Sequence, residues 1–276
     1  MNNLEKSSKN ETGQMILIVL LYAVGAVSVP YAKIAGFIAP DNNSVKFIIA
    51  FICKVLCAVI PFILIADFGY SDLFKFSSYK FKRLLLIIPC LLVAVNNFPI
   101  LPMISGESHM TATGIVIPCF VLYCLSIGIL EESIFRGLIF PLFVIKFKKA
   151  KNGLFWAIIV SSAVFGGMHI INLIGNWGAI GAVITQIGYS FLIGAMCAAA
   201  MFFTESIWIP ILLHATFDFG GYFIEYLGSG NIWSTPEIIL TAVLAVIVII
   251  YILFIFIKAD KRHFYACLNL TDIKSD

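Results

Sequence analysis

Charge is what this chain has least of. Asp, Glu, Lys and Arg make up 12% of its 276 residues, about half of the roughly 25% usual in soluble globular domains. With 61% hydrophobic residues and a mean hydropathy of +1.02, that shortage excludes an ordinary soluble domain and points to a polytopic membrane protein. No basic stripe interleaved with aromatics occurs, so nucleic-acid binding has no support. An HExxH motif is missing, which excludes the usual zincin arrangement. No internal repeat, low-complexity tract or separate soluble domain is visible. The cysteines (Cys53, Cys57, Cys90, Cys119, Cys124, Cys197, Cys267) are odd in number and lack CxxC spacing, and all but Cys267 fall in apolar runs. They read as reduced apolar filler rather than a zinc site or a disulfide framework.

What is present is a series of apolar runs separated by polar turns. Residues 1–14 read as a disordered tail and 258–276 as a polar tail. Between them, runs over 15–38, 46–66, 84–101, 114–145, 153–171, 179–203, 207–227 and 237–257 compare with the about 20 residues a helix needs to cross a bilayer. Pro30, Pro61 and Pro89 predict kinks or interruptions. The first run is too long for a signal-peptide core and no A-x-A site follows, so it reads as retained. Lys and Arg gather before the first run, over Lys75 to Arg83, over Lys146 to Lys151 and after Lys258, while the alternate loops hold almost none. By the positive-inside rule both termini are then cytoplasmic. The expectation is an all-α polytopic transmembrane helix bundle of about eight spans, forming a single domain over 15–257. Small size and an Ile/Lys/Asn-rich composition suggest a bacterial cell membrane.

Against this background, Ile129-Leu-Glu-Glu-Ser-Ile-Phe-Arg-Gly137 sets three ionisable side chains in a stretch otherwise uncharged from Gly114 to Ile145. Each costs roughly 2.5–3.5 kcal/mol on insertion scales, so such groups mark function by default. The structural alternative is a polar tie between helices. Glu132 and Arg136 are four apart with the carboxylate N-terminal, the better orientation for a same-face ion pair. Gly137 beside them leaves room for a neighbouring helix. Glu131 lies about 100° around the helix and has no local partner, which makes it the candidate catalyst.

Two further runs carry polar chemistry. Phe165 and His169 share a face, with Gly166-Gly167 between them permitting close helix approach. His214 and Asp218 also share a face, a pair that suits metal ligation or a carboxylate orienting an imidazole. Lys33, Lys54 and Glu225 lie near span edges or within snorkelling reach. Glu131, His169 and His214 with Asp218 can meet only inside the bundle. Counting the rise per residue from the cytoplasmic ends puts Glu131, His169 and His214 at roughly 22, 27 and 13 Å, a spread that helix tilt has to absorb.

Glu131-Glu132-x-x-x-Arg136, Phe165-x-x-x-His169 and His214-x-x-x-Asp218, in that order on spans four, five and seven, resemble the three-motif signature of the CPBP family. This is the CAAX-protease and bacteriocin-processing family of intramembrane proteases, also called Abi. The resemblance covers about residues 114–223; the flanking spans match only in being apolar. It implies an endopeptidase in which Glu131 and His169 activate the attacking water. His214 and Asp218 would polarise the scissile carbonyl or bind a metal, and Glu132 and Arg136 would support them. The family's last position is often Asn, and here it is Asp218. An ionised carboxylate cannot donate a hydrogen bond to an oxyanion, so Asp218 acts there only when protonated, or else orients His214 or ligates a metal. Glu131, His169, His214 and Asp218 are chemically suited to a divalent metal such as zinc, and glutamate-driven and metal-driven hydrolysis both stay open.

The implied partners are the lipid bilayer and a peptide or lipidated-protein substrate. CAAX substrates are typical of the eukaryotic members, and peptide precursors are expected for a bacterial chain. Two other classes compete. One is a non-catalytic bacteriocin-immunity or scaffold protein of the same fold. The other is an ion-coupled transporter using Glu131 and Asp218 as proton carriers, ranked last because the broken segments of an inverted repeat are not seen.

Overall fold

The computed structural model describes residues 3–76, 83–174, 177–231, 233–258 and 261–270. It is almost wholly helical, as a chain in hydrocarbon must be when its backbone groups have no water to bond. The helices are α1 (Asn3–Ser28), α2 (Tyr31–Ile38), α3 (Asn43–Asp67), α4 (Ile88–Asn96), α5 (Ile100–Ile104), α6 (Val116–Ile134), α7 (Phe140–Phe147), α8 (Gly153–Met168), α9 (Ile180–Thr204), α10 (Trp208–Gly221), α11 (Phe223–Leu227), α12 (Thr235–Lys258) and α13 (Arg262–Cys267). Two three-residue strands, β1 (Ser108–Met110) and β2 (Gly228–Gly230), pair antiparallel with His109 opposite Ser229.

Among the described residues five helical stretches are long and apolar enough to cross a membrane: Glu11–Ile38, Asn43–Asp67, Val116–Phe147, Gly153–Leu173 and Trp177–Thr204. Leu84–Asn96 and Thr235–Tyr251 are shorter apolar helices. The sequence runs over 84–101 and 207–227 are each broken. The first stops at Asn96 and resumes at Ile100 beyond Pro99, which has no N–H to continue a helix. The second breaks at Tyr222, after Gly220-Gly221. These two breaks meet, because Asn97 Nδ2 donates to the carbonyl of Phe217 at 2.6 Å. Pro30 separates α1 from α2, whereas α3 runs unbroken through Pro61.

Both stretches read as tails carry helix among the described residues. The first helix starts at Asn3, inside the stretch read as disordered, because it extends back from the apolar span without a proline to stop it. Beyond α12, α13 is folded onto the bundle: Phe264 is buried, stacked on Phe140 at 5.7 Å and edge-on to Phe202 at 5.5 Å. The apolar residues of Phe-Tyr-Ala-Cys-Leu dock it against α7 and α9.

The centre of the molecule is the continuous helix from α6 to α7. Its two halves join through a π-helical stretch, Phe135–Ile139, and every residue from Glu132 to Val144 is buried. Gly128 decides how close α10 comes to it. A Cβ at that position would stand 2.6 Å from the Ile211 carbonyl oxygen, so the two helices touch backbone to backbone. Gly166 does the same for α8, where a Cβ would reach 2.7 Å from the carbonyl of Ile187 on α9. Those two approaches bring the motif-bearing turns of α6, α8 and α10 together.

Candidate active site

Glu132 is the hub of the polar cluster. Its Oε1 accepts from Arg136 Nη1 at 3.0 Å and from His214 Nδ1 at 2.6 Å, with the Glu132 side chain wholly buried and Arg136 nearly so. The first bond is the ion pair expected from the four-residue spacing. The second crosses 82 residues of chain and has no local signature. With Nδ1 facing Glu132, the imidazole turns Nε2 towards two other carboxylates, 3.6 Å from Asp218 Oδ2 and 3.9 Å from Glu131 Oε2. The Glu131 side chain keeps 17% of its surface exposed while that of Glu132 keeps none. Only Glu131 of the two can meet water.

Phe165 organises the other side. Its ring stands edge-on to His169 at 5.5 Å and to His214 at 5.7 Å, and the Arg136 guanidinium lies 4.4 Å from its centroid. His169 Nδ1 lies 3.2 Å from the Phe165 carbonyl, to which it donates, so Nε2 is its unengaged nitrogen. Glu131, His169, His214 and Asp218 all line one cleft, together with Phe165 and Phe217. The four residues singled out for catalysis thus share a cavity despite the spread in depth counted from the helix ends. That count treats helices as straight and equally placed, whereas α10 is a 14-residue helix set against Gly128.

Residues 113–220 match the family model for type II CAAX prenyl endopeptidases, Rce1-like. The matched segment holds Glu131, Glu132, Arg136, His169, His214 and Asp218, and it bears out the resemblance to CAAX proteases carried by the three motifs. No curated protein and no solved structure matches the chain. Over those residues the chain is similar to type II CAAX prenyl endopeptidases, and its long apolar helices are those of an integral membrane protein.

One charged group of the site lies outside the Rce1-like segment. Lys54, read from the sequence as within snorkelling reach, sits near the middle of α3. Its Nζ lies 4.1 Å from the centroid of Tyr31 and 5.8 Å from that of Tyr123, and it acts electrostatically on Glu131 and Asp218. Its mid-span position between Asn43 and Asp67 was the signal that could have found it.

Among the described residues no three His, Cys, Asp or Glu side chains are grouped so as to hold a metal ion. One nitrogen of His214 faces Glu131 and Asp218, while the His169 ring stands edge-on to Phe165 at 5.5 Å. As placed, Glu131, His169, His214 and Asp218 do not form a ligand set.

Proposed function

We propose that this chain is an intramembrane endopeptidase that hydrolyses peptide bonds of membrane-associated peptides or lipidated proteins. The observation that carries the reading is the Glu132–His214 bond, which turns His214 Nε2 towards Glu131 and Asp218 across a cleft. A water in that cleft loses its proton to Glu131 as its oxygen attacks the scissile carbonyl carbon. His169, through its unengaged Nε2, holds and orients the water. His214 and Asp218 lie at the carbonyl side, where negative charge develops. Glu131 then passes the proton to the leaving amine as the C–N bond breaks. Glu132 keeps His214 oriented, and Arg136 balances the charge of Glu132 inside the bundle.

The same reading takes the chain as an eight-span bundle with both termini cytoplasmic, which the distribution of Lys and Arg supports. Its composition supports a bacterial membrane, with peptide precursors as substrates.

The test is cleavage by detergent-purified protein of a prenylated CAAX peptide and a pool of membrane-associated peptides. Glu131→Gln and His169→Ala should each lower the rate by about 10²–10⁴-fold, the usual contribution of a general acid–base group. A Glu131→Gln protein that cleaves like wild type removes the assignment. Loss of activity with chelator, restored by zinc, would replace the glutamate-driven route with a metal-driven one.

A further inference from the structure

The motif residues give a developing oxyanion few hydrogen-bond donors, since His214 Nε2 is the one motif nitrogen turned to the carbonyl side. Glu131 and Asp218, as carboxylates, only accept. His214 has Nδ1 engaged with Glu132 at 2.6 Å, and His169 has Nδ1 engaged with the Phe165 carbonyl at 3.2 Å. Acyl hydrolysis nevertheless draws much of its rate from fixed donors aimed at the position the oxyanion will take.

The fourth wall of the cleft comes from α9, which contributes to none of the three motifs. Gln186, Tyr189 and Ser190 line it there. Tyr189 is held from two sides. Its ring packs against Phe217 at 6.2 Å, one residue from Asp218. Its hydroxyl interacts with the side-chain amide of Gln186, whose Oε1 accepts from Asn172 Nδ2 at 2.8 Å. With Asn172 donating to one lone pair of the amide oxygen, the NH2 group of Gln186 can donate to the phenol. A phenol oxygen that accepts from an amide keeps its own O–H to donate elsewhere. Glu131 and Asp218 line the same cleft as that phenol.

We propose that Tyr189 is a catalytic residue of this site, donating its O–H to the oxyanion of the tetrahedral intermediate and aimed by Gln186 and Asn172. The proposal rests on the hydrolytic reading above. As the water oxygen bonds to the carbonyl carbon, the carbonyl π pair moves onto oxygen, and Tyr189 stabilises that oxygen without giving up its proton. When the carbonyl re-forms, the C–N bond breaks and the amine leaves with the proton carried by Glu131. Tyr189 supplies the kind of donor that an ionised Asp218 cannot.

Tyr189→Phe keeps the ring contact with Phe217 and removes only the hydroxyl. On a prenylated CAAX peptide it should lower kcat by about 10²–10³-fold, the usual effect of deleting one oxyanion donor, with KM changed less than about twofold. Affinity for a peptidyl phosphinate of the same sequence, a tetrahedral anionic mimic, should fall by a comparable factor. Affinity for the uncleaved peptide, measured in a Glu131→Gln background, should not. Gln186→Leu should show part of the same loss. Wild-type rates in Tyr189→Phe beside an inactive Glu131→Gln would overturn the proposal and leave the hydrolytic reading standing. A raised KM with kcat retained would also overturn it, because the hydroxyl would then serve ground-state binding. A fully active Glu131→Gln would sink both readings together. Should no peptide be cleaved, phosphinate binding decides alone: equal affinity in wild type and Tyr189→Phe overturns the proposal.

Discussion

Cutting the Glu132–Arg136 pair from one side and then from both separates its structural work from its functional work. The two side chains are 0% and 2% exposed, and their nearest atoms stand 3.0 Å apart. Breaking a buried pair from one side costs about 3–5 kcal/mol, because the remaining charge is stranded. Glu132→Leu strands Arg136, whose Nη2 already has no hydrogen-bond partner and whose remaining support is the face of Phe165. It also deprives His214 Nδ1 of its acceptor, a further cost of about 1–3 kcal/mol for an unsatisfied buried donor. Arg136→Met should cost less than Glu132→Leu, since Glu132 keeps His214.

The double variant removes both charges, and replacing a buried pair by apolar groups is often close to neutral. Only the His214 donor stays unsatisfied, so a net cost of about 1–3 kcal/mol is expected. Stability is to be read as reversible unfolding in bicelles, and activity as peptide cleavage, on the same four proteins. The expected order of destabilisation is Glu132→Leu, then Arg136→Met, then the double variant, with cleavage lost in the double despite its recovered stability. A double variant as unstable as the two singles summed would refute the buried-pair reasoning. One that is stable and active would refute the claim that Glu132 orients His214.

Two other perturbations follow from the packing. Lys54→Met should lose about 2 kcal/mol of stability with its desolvated contacts to Tyr31 and Tyr123 and should also slow cleavage, while Lys54→Arg, which stacks on aromatic faces, should keep most of both; an unchanged Lys54→Met in the unfolding and cleavage assays removes Lys54 from the site. Gly128→Leu forces α10 away from the Ile211 contact, with an overpacking cost of about 1–3 kcal/mol and about 10²-fold in kcat for a displacement near 1 Å. Gly167→Ala, with nothing within 4 Å of its Cβ position, should leave unfolding and cleavage unchanged.

The sequence was most readable where chemistry and period coincide. Glu132 and Arg136 announce themselves because a same-face pair needs only a spacing of four and an apolar background. Glu131, His169, His214 and Asp218 were legible as uncommon polar groups on different apolar runs, and the structure does bring them to one cleft. The partner that orients His214 was not legible, since Asp218 at four residues looked like the natural choice and Glu132 is 82 residues away. Lys54 was misplaced because a long side chain in an apolar helix usually snorkels, and nothing local records two tyrosine faces supplied by other helices. Gly166 and Gly167 were read alike from sequence. Only Gly166 turns its missing Cβ to α9, a matter of helix rotation that spacing does not set. The aromatic residues of α13 lay in a stretch too short and too mixed to separate from a tail.

The burial of the central helix on every side from Glu132 to Val144 bears on how the protein is made. When Val116–Phe147 leaves the ribosome it carries its own counter-charge for Glu132 in Arg136, and Lys54 precedes it, but His169, His214 and Asp218 have not yet been synthesised. Until α9 and α10 arrive, Glu131 has to face lipid or stay near the translocation channel, at roughly 2.5–3.5 kcal/mol for a charged group at mid-helix. Integration of this helix is therefore completed late, by its successors, and chains released before Trp208 should be recognised as unfinished by membrane quality control.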